Sequence, residues 1–132
     1  MKITVDTNFL ISATQWDYSV AHKLLQNMIR NNFEIFTTKQ ILGEFADVLK
    51  RDFRYKQEEV ENIISKVMQF AAIMIPKIRV QIVEDDPDDD KVIECALESK
   101  SEYIITYDKH LLKIGKHEGI KIIKPEEAAV IF

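Results

Sequence analysis

Apolar residues recur along the chain with two different periods, which predict short strands and longer helices in alternation. Runs rich in β-branched and aromatic residues predict five strands, at residues 2–5, 33–36, 79–83, 103–106 and 120–123. Apolar residues at helical spacing predict helices at residues 17–31, from 37 or 38 to 53, 57–72, 88–100 and 109–114, and Pro125 opens a last short helix.

This order of elements predicts an α/β fold. Consecutive parallel strands need right-handed crossovers, so the sheet should be mainly parallel and carry helices on both faces. The chain has 132 residues, of which 46% are hydrophobic, and it has only three glycines and three prolines. Because this is the size and composition of one compact unit, we expect a single domain over residues 1–132.

The charge limits how the chain can bind nucleic acid. Its net charge is −4, and six of its acidic residues lie between positions 84 and 90, so the rest of the chain is close to neutral. Proteins that hold nucleic acid by bulk electrostatics carry a strong positive excess. Any contact with nucleic acid must therefore come from local basic groups.

Cysteine content and the N-terminal residues bear on localisation. The single cysteine, Cys95, cannot form an internal disulfide, and its apolar helical surroundings indicate a buried structural thiol. The first residues fit neither a signal peptide nor a membrane-spanning helix. We therefore expect a cytoplasmic protein with no membrane association.

Two aspartates follow predicted strands directly. Asp6 comes after the first strand and Asp108 after the fourth, so both should reach the edge where parallel α/β sheets bind ligands. Either residue alone could simply cap the next turn or helix. Asp6 is the stronger signal, because it enters an apolar segment where an unpartnered charge is costly.

Helical phase selects further candidates among the remaining acids. Glu44 lies three residues after Ile41 and four before Val48, on the core-facing side of its helix. A salt bridge to Lys or Arg would explain it, and so would a metal ion.

Within the acidic run, Asp89 shares the inward stripe of the following helix. Its spacing to the apolar positions of that helix is three, four and seven residues. Asp90 lies beside it as a second potential ligand, and Asp88 is placed to cap the helix.

Several carboxylates in one cleft would repel each other unless a cation neutralises them. Ligands that are all oxygen suit Mg²⁺ or Mn²⁺, whereas zinc prefers His or Cys, and the three histidines have no ligand spacing. The sequence has no phosphate-binding glycine loop and no G-x-S-x-G motif. The pattern thus favours a hard divalent cation.

Four motifs then appear in a specific order: VDTN at residues 5–8, Glu44, DPDDDK at 86–91 and YIITYDKHLL at 103–112. With these motifs the chain resembles PIN-domain ribonucleases over essentially its full length. The resemblance is greatest to the branch of VapC-related toxins from toxin–antitoxin pairs.

This resemblance implies a PIN-like three-layer sandwich with a five-stranded, mainly parallel sheet, and metal-dependent cleavage of RNA. It also implies a homodimer that pairs with a separate antitoxin. The residues that it assigns to catalysis and to Mg²⁺ or Mn²⁺ are Asp6, Glu44, Asp89 and Asp108. Hydrogen bonds from Thr7 or Asn8, and from Thr106, would orient these carboxylates.

The chain departs from the family pattern at two positions. Members often have Gly before the last Asp and Asn after the third, where this chain has Tyr107 and Asp90. Neither difference removes an expected ligand.

Our hypothesis from the sequence is that one or two metal ions activate water for in-line attack, releasing a 3′-hydroxyl and a 5′-phosphate. Basic residues that follow the Glu44 helix and Asp108 are candidates for guiding the strand: Lys50, Arg51, Arg54, Lys56, Lys109, Lys113 and Lys116.

Three other functions stay open at this point. A phosphatase with an aspartyl nucleophile generally needs a second Asp where this chain has Asn8. A receiver-like phosphoacceptor domain would use Asp85 after the third strand and Lys124 after the last one. A PIN fold that binds RNA or protein without cleaving it would keep the same acids.

Overall fold

A computed structural model describes residues 1–132. The six strands are β1 (Lys2–Val5), β2 (Glu34–Thr38), β3 (Ala71–Met74), β4 (Tyr103–Ile105), β5 (Lys116–His117) and β6 (Ile120–Ile123). The seven helices are α1 (Thr7–Gln15), α2 (Val20–Arg30), α3 (Lys39–Asp52), α4 (Gln57–Met68), α5 (Asp90–Ser99), α6 (Lys109–Ile114) and α7 (Pro125–Ile131). One short 3₁₀ turn, Pro87–Asp89, precedes α5.

The strands form one sheet in the order β3-β2-β1-β4-β6-β5. Five of them pair in parallel, and the two-residue β5 adds an antiparallel edge to β6. The predicted α/β fold with a five-stranded parallel sheet is confirmed, and the sixth strand was not predicted.

The strand order reverses at the centre of the sheet. From β1 the chain moves to β2 and β3 on one side, and then returns to place β4 and β6 on the other side. In open α/β sheets, ligands bind outside the carboxyl ends of the strands at such a switch point. The carboxyl ends of β1 and β4, which lead into Asp6 and Thr106, are therefore the expected location of a site.

The core fixes the register of these central strands. Ile3 pairs with Tyr103 and Val5 with Ile105 across β1 and β4, and the two β1 residues and Ile105 are fully buried. Helix α5 packs against β1 and β2 through a nearly continuous buried face. Such two-sided burial explains why the central strands read as apolar runs without alternation.

Two predictions of elements were wrong in the middle of the chain. The helix predicted over 57–72 ends at Met68, and the third strand is Ala71–Met74, not residues 79–83. In the segment 79–83, carboxylates of α5 accept the backbone hydrogen bonds that a neighbouring strand would take. Val80 donates to Glu94 at 3.0 Å, and Ile82 and Val83 donate to Asp90 at 2.9 Å.

Helix α1 was also missed by sequence reasoning. Its buried residues Phe9, Leu10, Ile11 and Ala13 are nearly consecutive, so they do not form the spaced stripe of an amphipathic helix. The helix that was predicted over 17–31 begins at Val20, where Ser19 caps it as expected.

Candidate metal centre

Asp6 stands at the carboxyl end of β1 and caps helix α1. Its carboxylate accepts the backbone N–H of Phe9 at 2.9 Å and the hydroxyl of Thr106, and the residue is 5% exposed. Burial raises the pKa of Asp6 to about 6, although both hydrogen bonds oppose that rise. Asp6 is thus a fixed, buried carboxylate at the switch point of the sheet.

Asp108 approaches from the end of β4. One of its oxygens, Oδ1, accepts the backbone N–H groups of His110 at 2.8 Å and Leu111 at 3.1 Å, which caps α6. The Thr106 hydroxyl accepts the N–H of Asp108 at 2.8 Å while it donates to Asp6. Thr106 therefore links the two strand-end aspartates, which is the orienting role expected from the sequence.

A third pair of acids comes from the 3₁₀ turn before α5. The N–H of Asp89 donates to the carbonyl of Asp86 at 3.0 Å, so this tight turn carries both side chains. Oxygens of Asp86, Asp89 and Asp108 lie within 4.8 Å of one another, and all three residues are half-buried. The structure thus brings Asp89 and Asp108 together as expected and adds Asp86.

The donors in this cluster fit a hard divalent cation. Asp89 Oδ2 is buried and has no hydrogen-bond partner, which is costly for a carboxylate unless an ion neutralises it. Burial, and then the nearby charges of Asp108, Asp86 and Asp6, raise the pKa of Asp89 to about 8. A set of carboxylate oxygens of this kind suits Mg²⁺ or Mn²⁺.

Glu44 lies across the cleft on α3 and already has a cationic partner. Its Oε1 accepts the ammonium of Lys91, and its Oε2 accepts the hydroxyl of Thr7 at 3.3 Å. The side chain is 40% exposed, so Glu44 lines the cleft and is not enclosed in the core. The salt bridge that the sequence left open as an explanation for Glu44 is therefore present, with Lys91 as the partner.

The cleft itself has a volume of about 270 Å³. Its charged lining residues are Asp6, Glu44, Asp47, Arg51, Asp89 and Lys91, and exposed Asn8 also lines it. Arg51, in the last turn of α3, is the one of the basic candidates Lys50, Arg51, Arg54 and Lys56 that lines it. The cleft is therefore lined by both carboxylates and a guanidinium, and it shares Asp89 with the acidic cluster.

Asp90, expected from the sequence as a second potential metal ligand, does not belong to the acidic cluster. It is buried, and its Oδ1 holds the N–H groups of Ile82 and Val83. Nor does the carboxylate of Asp88 cap α5 as predicted, because it pairs with Lys91 at 2.7 Å.

Asp90→Ala is expected to reduce the free energy of unfolding by about 1–3 kcal/mol, because two buried N–H groups lose their acceptor. Asp90→Asn keeps an acceptor oxygen and should cost much less. Urea denaturation measures both effects. If Asp90 were instead a ligand, the Asn variant would lose as much divalent-cation affinity as Asp89→Asn.

The fold also removes the receiver-like alternative. No acid follows β3, whose next residues are Ile75, Pro76 and Lys77, and Asp85 pairs with Lys113 at the surface. The parallel strands lie in the order β3-β2-β1-β4-β6, which is 3-2-1-4-5 when only parallel strands are counted. Receiver-like sheets have the order 2-1-3-4-5. A phosphoacceptor at the third strand is therefore wrong for this chain.

Sequence reasoning missed Asp86 and Lys91 as members of the site. Asp86 lies three residues before Asp89, a spacing that brings the two together in a 3₁₀ turn, whereas the prediction used the phase of an α-helix. Lys91 gave one usable signal, since it is the only basic residue in the first turns of a helix whose other early positions are acidic or apolar.

No helix of the chain has the length and apolar character needed to cross a membrane.

The chain shares sequence similarity with known proteins. An uncharacterized protein of Methanocaldococcus jannaschii is 27% identical over 118 residues, which cover 86% of this chain and 75% of that protein. The sequence profile of the PIN domain matches residues 2–110, a stretch that includes β1, α3, the acidic turn and Asp108. The chain belongs to the PIN domain family.

Proposed function

We propose that this chain is a metal-dependent endoribonuclease that forms a single PIN domain over residues 1–132. PIN domains are generally metal-dependent nucleases, and the acidic cluster fits metal binding. The observation that carries the proposal is the buried, unpartnered Oδ2 of Asp89, which converges with Asp86 and Asp108 beside Asp6.

In this proposal Asp6, Asp86, Asp89 and Asp108 hold Mg²⁺ or Mn²⁺, and Glu44 completes the acidic cleft. The bound cation supplies positive charge for the phosphodiester and for the developing charge on the oxygens at phosphorus. Thr106 keeps two of the carboxylates in place, and Thr7 does the same for Glu44. Cleavage would leave a 3′-hydroxyl and a 5′-phosphate.

The test is cleavage of labelled single-stranded RNA and DNA of the same sequence by the purified protein. We expect RNA to be shortened with Mg²⁺ or Mn²⁺, to stay intact with EDTA, and to be cut again when the cation is restored. Mapping the product ends checks the expected 5′-phosphate. Cleavage that continues in EDTA, or intact RNA with both cations, would contradict the proposal.

We further propose that the nuclease is the toxin of a toxin–antitoxin pair, acting in the cytoplasm as a homodimer. The support is the similarity of its motifs to the VapC-related branch, together with a buried free thiol of the kind common in reducing compartments. Growth arrest on expression, relieved by the product of a neighbouring small reading frame, is the expected result. The Asp89→Asn variant should not cleave RNA. If it also arrested growth, the toxicity would not depend on cleavage, which would contradict this role.

Arg51 is expected to bind the phosphates of the RNA strand, because it lines the cleft and is otherwise paired only with exposed Asp52. In Arg51→Ala we expect RNA affinity to fall several-fold, since an exposed charge pair contributes about 1 kcal/mol or less. The slope of log affinity against log salt should fall by about one.

Fluorescence anisotropy with RNA in EDTA, where no cleavage is expected, measures both effects. Lys50→Ala is the matched control, because it removes the same charge one residue away on an exposed position that does not line the cleft. Equal losses in the two variants would show a general charge effect and contradict a specific contact.

A further inference from the structure

Lys91 is a buried cation inside an acidic site. It is the second residue of α5, and its side chain is only 10% exposed. The ammonium donates to the Glu44 carboxylate, to the Asp88 carboxylate at 2.7 Å and to the Asp88 carbonyl at 3.0 Å. These three acceptors match the three N–H groups of a lysine, so its donors are fully used.

The partners of Lys91 outweigh the cost of burying it. Burial lowers the pKa of Lys91, but the hydrogen bonds with Asp88 and Glu44 more than reverse that effect, so the net shift is upward. The Lys91 ammonium, and then a hydrogen bond with Glu44, hold the pKa of Asp88 below its ordinary value, whereas burial raises the pKa of Glu44. The ammonium is therefore held between two acidic side chains by direct hydrogen bonds.

Six acids in and beside the cleft fall into two groups, according to whether they contact Lys91. Glu44 and Asp88 are both within hydrogen-bond reach of its ammonium. The other group, Asp6, Asp86, Asp89 and Asp108, has no lysine or arginine partner. Only the second group contains a buried carboxylate oxygen without a partner, Asp89 Oδ2.

We propose that the Lys91 ammonium takes the place of a second cation between Glu44 and Asp88, so that the centre binds one divalent ion, on the Asp86–Asp89–Asp108 side. This inference rests on the proposed function, since it presumes that the acidic cluster binds a divalent cation. It makes Lys91 a positioning residue that fixes Glu44, and it makes Glu44 a neighbour of the ion and not its ligand.

Two physical consequences follow. Removing the ammonium leaves two adjacent carboxylates without a counter-charge, which raises their mutual repulsion and makes that position attractive to a hard cation. Removing the charge of Glu44 instead takes nothing from the ion on the other side of the cleft. Lys91 and Glu44 variants should therefore affect metal binding in different ways.

The experiment is a titration of the metal-free full chain with Mn²⁺, in which electron paramagnetic resonance counts the free ion and calorimetry gives the affinity. For the wild type we expect about one ion per chain, and for Lys91→Met about two. Lys113→Met is the matched control, because it breaks a lysine–carboxylate pair with Asp85 outside the cluster and should leave the count unchanged.

Glu44→Gln supplies a second test that does not depend on the folding of Lys91→Met. We expect its Mn²⁺ affinity to stay within about threefold of the wild type, because Glu44 contacts the ammonium and not the ion. A loss of more than about tenfold, of the size that a lost ligand or its support produces, would overturn the inference.

The number of bound Mn²⁺ ions distinguishes a failure of the Lys91 proposal from a failure of the proposed function. A wild type that binds about two ions, or a folded Lys91→Met that still binds one, overturns the role of Lys91 and leaves the metal-dependent function standing. A wild type that binds no Mn²⁺ overturns both.

Discussion

In the absence of divalent cations, Asp89→Asn is expected to be more stable than the wild type, by a margin that grows as pH rises from about 4 to about 8. Burial, together with Asp108, Asp86 and Asp6, raises the pKa of Asp89 from an ordinary 3.8 to about 8. Between these values the unfolded chain has lost this proton while the folded chain retains it. The wild type therefore loses stability across this range, and the Asn variant, which does not titrate, does not.

Saturating Mg²⁺ or Mn²⁺ should reduce the stability advantage of Asp89→Asn over the wild type, because the cation stabilises mainly the wild type. A ligand that binds only the folded state at a hundred times its Kd adds about 2.7 kcal/mol to the free energy of unfolding. The wild type should gain a stabilisation of this kind, while Asp89→Asn, which lacks the charge that the cation needs, should gain little. Loss of RNA cleavage in the same variant is expected to accompany the loss of metal binding.

Urea denaturation at several pH values, with EDTA or with the cation, measures both effects. Asp85→Asn is a suitable control, since Asp85 belongs to the same acidic run but pairs with Lys113 outside the cluster. Equal stabilisation of Asp89→Asn and the wild type by the cation would show that Asp89 is not part of a metal site.

The central part of the fold could be predicted because its signals are local. β1, β4 and β6 are short apolar runs, and α2 and α6 begin at the side chains Ser19 and Asp108, which cap them. Once the strands alternate with helices, the carboxyl ends of β1 and β4 have to meet at one edge. Asp6 and Asp108 therefore followed from the order of elements alone.

The third strand could not be predicted because tertiary contacts decide it. Residues 79–83 have the β-branched composition of a strand, but Asp90 and Glu94 of α5 accept their N–H groups. Ala71–Met74 pairs with β2 although it follows α4 after only two residues and no Gly or Pro marks the boundary. The sequence does not show which backbone groups a distant carboxylate will reach.

Tertiary contacts also decide where the acidic side chains between positions 84 and 90 lie. Helical phase selected Asp89, which does lie beside Asp86 and Asp108. Asp90 was kept as a second potential ligand only because it is the next residue, and its carboxylate instead accepts the N–H groups of Ile82 and Val83. Asp86 directly precedes the 3₁₀ turn Pro87–Asp89. Residues three apart lie on the same side of such a turn, so Asp86 joins Asp89 in the cluster, which α-helical spacing did not indicate. The long-range pairing of Lys91 with Glu44, 47 positions apart in sequence, has no local signal.

Asp6→Asn is expected to reduce metal-dependent RNA cleavage by at least about a hundredfold, which exceeds the roughly 10–100-fold cost of losing a residue that only supports a metal ligand. Asp6 is the most buried acid of the cleft, and its charge adds to the field that raises the pKa of Asp89. The amide oxygen of Asn can still accept the N–H of Phe9 and cap α1, so the fold should be kept.

Thr106→Val separates the charge of Asp6 from its orientation. Valine has the shape of threonine but neither donates to Asp6 nor accepts from Asp108, so we expect a loss of cleavage within about 10–100-fold. The expected order of activity is wild type, then Thr106→Val, then Asp6→Asn, measured as initial rates on one RNA after circular dichroism has verified the fold of each variant. Undiminished cleavage by folded Asp6→Asn would remove Asp6 from the site. Thr106→Val keeps the negative charge of Asp6 and removes only the hydrogen bonds that orient it. If this variant were as inactive as Asp6→Asn, the Thr106 hydroxyl would have to do more than hold a carboxylate in place.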